Sequence, residues 1–88
     1  MQATFVMDLS GFNGEAKLYR VAPPVTFGDD KTTDHVVTSK VNGGWAHETY
    51  LFPADADGNV VDWCELEGSA RGEHSHEEVL AYAGYEVN

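Results

Sequence analysis

One cysteine, three prolines and five basic side chains are all that 88 residues contain of those kinds, and each scarcity excludes something. With Cys64 alone, no disulfide closes within the chain and no multi-cysteine metal site forms, so a reducing cytoplasm is the expected compartment. No stretch approaches the roughly 18 consecutive apolar residues that a membrane-spanning helix needs. Residues Met1 to Leu9 lack the basic start and long apolar core of a secretory signal, so neither export nor membrane insertion is expected. Only five Lys and Arg stand against fifteen Asp and Glu, for a net charge of −10. Such a field repels phosphate backbones and anionic lipid, so direct nucleic-acid and membrane binding are not expected, whereas basic partners are favoured.

The acidity is uneven. Met1 to Ala54 carries six acids and four bases, whereas Asp55 to Asn88 carries nine acids and Arg71 alone, giving segment charges of −2 and −8. The hydrophobic fraction of 42% and aromatic fraction of 11% are those of a folding chain. At this length they support one domain, residues 1–88, with a thin core. Domains this small bury only about 60% of the surface that the unfolded chain exposes. A homo-oligomer would relieve that shortage.

Alternation predicts a strand from Ala3 to Leu9, with Phe5, Met7 and Leu9 on one face, and a second from Glu15 to Val21, joined through Ser10-Gly11-Phe12-Asn13-Gly14 as a hairpin. Pro23 and Pro24 lack N–H donors and should stop the second strand near Ala22, leaving Val25 to Asp34 as a mobile loop. His35 to Val41 and His47 to Phe52 predict a third and a fourth strand, the latter central and ended by Pro53. An Asp57-Gly58 turn then leads to a fifth strand over Asn59 to Trp63, and Glu65 to His74 is expected to be a loop. Ser75 and Glu78 form a capping box at the start of a helix reaching Ala83, with Gly84 placed to end it in a left-handed conformation. Tyr85 and Val87 suggest a short terminal strand. The fold class is therefore α+β: a mainly antiparallel sheet of about five strands in hairpins, with one short C-terminal helix packed on it.

Four places carry chemistry worth weighing. Asp55-Ala56-Asp57-Gly58-Asn59 superficially resembles a calcium loop, but Gly58 is fourth rather than sixth and the twelfth position is Leu66, so a hairpin turn explains it. His74 and His76 bring imidazoles beside Glu73, Glu77 and Glu78, yet their spacing crosses a change of backbone direction, and acids at a helix start suit the macrodipole without a metal. Gly68, Arg71 and Gly72 precede a helix, but the surrounding Glu65, Glu67, Glu73, Glu77 and Glu78 oppose an anion, and Arg71 is expected to pair with one of them. Cys64 sits between Asp62 and Glu65, which disfavour the thiolate that a nucleophile needs. No catalytic residues, cofactor or metal are expected.

The segment from Thr49 to Trp63, TYLFPADADGNVVDW, with Gly68, Gly72, Gly84-Tyr85 and the earlier Asp8-Leu9-Ser10-Gly11-Phe12-Asn13-Gly14, resembles small uncharacterised proteins encoded by phages of actinobacteria. The resemblance implies a phage accessory protein in the bacterial host cytoplasm; its motifs are turns, strand anchors and glycines, and no functional residue carries over. The expectation is a non-enzymatic protein-interaction module. It would offer Asp55, Asp57, Asp62, Glu65, Glu67, Glu73, Glu77 and Glu78 to a protein with a basic surface. The competing readings are a DNA mimic inhibiting a host nucleic-acid enzyme, and a small metal-dependent hydrolase using His74 and His76.

Overall fold

The computed structural model describes residues 1–11, 14–43, 46–66, 68–71 and 74–87. Four long strands, β1 (Gln2–Leu9), β2 (Glu15–Phe27), β3 (Lys31–Gly43) and β4 (Ala46–Ala54), run as an antiparallel meander. Two-residue strands flank it: β5 (Ala70–Arg71) beside β4 and β6 (Glu86–Val87) beside β1, the latter parallel, so the sheet order is β5-β4-β3-β2-β1-β6. Among the described residues one helix, α1 (His76–Tyr82), completes the α+β fold. No helix among the described residues is long and apolar enough to cross a membrane.

Directly opposed residues of neighbouring strands share a face, and both faces of this sheet are packed. Ala3, Tyr19, Val21, Val36 and Leu51 meet Val79, Leu80 and Tyr85 on the helix face. Ala16, Leu18, Val37 and Ala54 gather on the opposite, helix-free face, with Leu9 and Val60 packed against them. The expected single apolar face of β1 is corrected by a bulge: its register against β2 shifts between Phe5 and Met7. One extra residue, Val6, reverses the parity of everything after it. Ala3 and Phe5 therefore stand on the helix face, opposite Val21 and Tyr19, and Leu9 stands on the other, opposite Ala16.

Three strand ends differ from expectation for reasons that concern proline. β2 does not stop near Ala22 but runs to Phe27, because its pairing with β3 lapses between Arg20 and Val25. Pro23 and Pro24 fall in that gap, where no ladder donor is asked of them. The segment expected to be a mobile loop is instead a hairpin. Phe27 pairs with Lys31 across a three-residue turn in which Gly28 and Asp30 take positive φ, and Thr32 and Thr33 extend β3.

β4 passes through Pro53 because that residue's carbonyl faces away from β3, accepting from Val61 N–H at 3.0 Å. The nitrogen of the same residue faces the same way, so β3 loses nothing. The expected strand over Asn59 to Trp63, however, is reduced to one bridge between Ala54 and Val60. Val61 lies opposite Pro53, which has no N–H to return, and the ladder stops there. The chain then rounds the edge of β4. Leu66 N–H donates to the Leu51 carbonyl at 2.8 Å, the Ser69 hydroxyl accepts from Leu51 N–H at 2.9 Å, and Ala70–Arg71 pairs with Glu48 and Thr49 inside the expected loop.

The helix start is as the sequence specifies. Ser75 Oγ accepts from Glu78 N–H at 3.1 Å and the Glu78 carboxylate accepts from Ser75 N–H at 3.0 Å. At the other end Gly84 (φ +94°) donates to the Ala81 carbonyl and Tyr85 to that of Leu80, both at 2.9 Å, the paired bonds of a Schellman motif. That turn aims Tyr85 into the core and delivers Glu86 N–H to the Met1 carbonyl at 2.8 Å, which starts β6. Replacing Ser75 with Ala should cost about 1 kcal/mol of unfolding free energy in a urea titration, with the midpoint lowered and the slope unchanged.

Candidate functional site

The two histidines weighed as metal ligands are not brought together. His76, at the first position of α1, is turned down onto the sheet and is 6% exposed. Its Nδ1 lies 2.6 Å from the hydroxyl of Thr38, itself fully buried, and its Nε2 lies 3.4 Å from the Glu15 carboxylate. A carboxylate only accepts, so the neutral ring carries its proton on Nε2 and donates it to Glu15, while Nδ1 accepts from Thr38. The other acceptor within reach of that hydroxyl, the Lys17 carbonyl, is 3.5 Å away. Burial, aided by Lys17 and Lys40, pushes the His76 pKa below the ordinary imidazole value despite the opposing pull of Glu15. The order carboxylate, imidazole, hydroxyl imitates a nucleophile relay, but a hydroxyl with no exposed surface meets no substrate. It is a polar clamp between α1, β2 and β3.

His74 has other partners. Its Nε2 lies 2.9 Å from the Arg71 carbonyl, its Nδ1 is 3.4 Å from the Tyr82 hydroxyl, and its ring meets Tyr82 edge-on. Among the described residues no three His, Cys, Asp or Glu side chains converge to hold a metal ion. The calcium-like segment is a turn closed on itself: Asp55 Oδ1 accepts from the N–H groups of Asp57 and Asn59 at 2.9 Å each, and these bonds pull its pKa down. Gly58 (φ +88°) sits so close to the Leu9 side chain that a Cβ would stand 2.6 Å from Cδ2, which pins the turn to the end of β1. Arg71 faces Glu48 at 3.7 Å and is almost wholly exposed.

The eight acids of the expected binding surface are divided. Asp55 and Asp57 belong to the turn on the helix-free face, whereas Glu77 and Glu78 occupy the first turn of α1 on the other. Asp62 lies near Gly28 at the β2–β3 turn, Glu65 is exposed, and Glu67 and Glu73 lie outside the described residues.

Trp63, expected at the end of a fifth strand, lies outside any strand and on the surface. Trp63 is 66% exposed and stands edge-on against Phe52, which stacks on Tyr50, with centroid separations of 5.1 and 5.7 Å. Beside it, a groove of about 600 Å³ runs between the end of β1 (Met7, Leu9) and the turn (Asp57, Val60). A smaller recess of about 220 Å³ near the end of α1 is lined by residues that include Val36, Leu51, Leu80 and Tyr85.

Two measurements check these assignments. A histidine whose folded pKa is depressed takes up its proton in the unfolded chain first, so stability falls as pH drops below about 6.5, by at most about 1.4 kcal/mol per pH unit for one proton. His76→Asn should flatten the dependence of the urea midpoint on pH between 7 and 5, whatever its effect at neutral pH; an unchanged slope would refute a buried neutral His76. Burial and the Asp62 carboxylate raise the Cys64 thiol, so a thiol reagent at pH 7.5 should label the native protein several-fold more slowly than the urea-unfolded chain, and Asp62→Asn should speed it.

Comparison of the chain with known protein families, with curated proteins and with solved structures finds no match.

Proposed function

We propose that the protein is a non-enzymatic interaction module that receives a basic protein partner on the helix-free face of its sheet. The observation that carries this reading is the exposed Trp63, seated on Phe52 and bordering a groove that also takes in Met7, Leu9 and Asp57. It lies within the half of the chain that carries −8. An exposed indole beside carboxylates suits an arginine or lysine side chain, whose charge meets the acids while its cation or stem covers the ring. Large exposed aromatics are what interfaces use as anchors, and charge of one sign speeds encounter with a partner of the other. The setting in this reading is that of a phage accessory protein in the cytoplasm of a bacterial host.

The test is affinity capture from an actinobacterial lysate with the wild-type chain and with Trp63→Ala and Asp57→Asn, each washed at low and at high salt. The expected result is a basic protein retained by the wild type, released by salt and retained several-fold less by either variant. Capture that ignores salt and both substitutions would overturn the reading, as would a salt-insensitive homo-oligomer with no partner.

A further inference from the structure

We infer that the partner segment is an extended chain bearing arginine or lysine at alternate positions, and that it binds by adding a strand to the outer edge of β1. The inference deepens the proposed function and rests on it.

The two edges of the sheet are treated differently. Along β4, the 60–71 segment supplies Val61, Leu66, Ser69 and Ala70–Arg71, which engage the outer edge from Glu48 to Pro53. Along β1, β6 pairs only with Gln2 and Ala3. From Thr4 to Leu9 the outward N–H and C=O groups have no strand partner among the described residues. Six residues at about 3.3 Å each make an edge of roughly 20 Å. Sheet edges of this kind are normally blunted by lysine or proline, and β1 has neither. Instead it exposes Phe5, Val6 and Met7 by 44, 43 and 37%.

The edge opens onto the groove already described. Leu9 stands on the helix-free face, and Met7 and Leu9 line the groove with Asp57, Val60 and Trp63. In an added strand every second side chain would project over that face, where a long cationic side chain reaches Trp63 and Asp57. Charge selects the occupant. A second copy would bring another −10 to the same edge, whereas a basic segment neutralises what is there. Backbone pairing supplies the binding and the groove supplies the preference for cations.

The experiment uses the full chain, labelled with ¹⁵N, and a synthetic peptide of eight residues alternating arginine with valine. The expected result is that the peptide shifts the amide signals of Thr4 to Leu9 and slows their hydrogen exchange, that Asp57→Asn weakens binding several-fold, and that N-methylation of the four central peptide residues weakens it at least tenfold. Equal binding of the methylated peptide would overturn strand addition while leaving the basic-partner reading intact. Equal binding of a glutamate-for-arginine peptide would overturn both. Binding that leaves Thr4 to Leu9 unperturbed, no binding at all, or protection of that edge by self-association without peptide would each overturn the inference.

Discussion

Pro53 has no N–H to donate, and that missing donor decides where the second half of the chain runs. The turn at Asp55 to Asn59 begins a hairpin, with Asp55 N–H donating to the Asn59 carbonyl and Val60 bridging Ala54. Opposite Pro53 the ladder needs two bonds and receives one, so the strand is abandoned after Val61. Freed from pairing, the chain leaves Val60 on the helix-free face, rounds the edge of β4 and packs the half-buried Leu66 against the core on the helix face. A regular fifth strand would have continued the meander.

The parts of the fold legible in the sequence were those set by local chemistry. The first hairpin, the capping box at Ser75 and the left-handed Gly84 depend on residues near one another in sequence, and they stand as expected. What was not legible depends on distant partners. Whether Pro53 breaks a strand turns on which side its nitrogen faces, and whether Pro23 and Pro24 do turns on a lapse in pairing, and both are decided by the register of β3. The bulge at Val6 was equally hidden, because regular alternation from Ala3 to Leu9 gives no sign of an extra residue.

The candidate site was half legible, for the same reason. The concentration of acid after Ala54 could be counted, and the pairing of Asp62 with Cys64 follows from adjacency. Continuity could not be counted: the helix carries Glu77 and Glu78 to one face while the turn keeps Asp55 and Asp57 on the other. A row of acids tracking a duplex would need them on one face. His76 looked like a surface ligand because its neighbours in sequence are charged. Its partners, Thr38 and Glu15, are 38 and 61 residues away, and they make it a strut.

Charge and the bare edge of β1 are then two sides of one arrangement. A strand edge that exposes Phe5, Val6 and Met7 invites pairing with its own kind, and of the devices that usually prevent this β1 has a bulge and Asp8 but no lysine or proline. The bulge at Val6 twists the edge locally, but the larger guard is electrostatic: each approaching copy carries −10, and the repulsion acts before the backbones are within reach. A guard of that sort is selective where proline would be absolute. In the proposed function it turns away a second copy and admits a chain of opposite charge, so that the same acidity sets what the edge of β1 accepts.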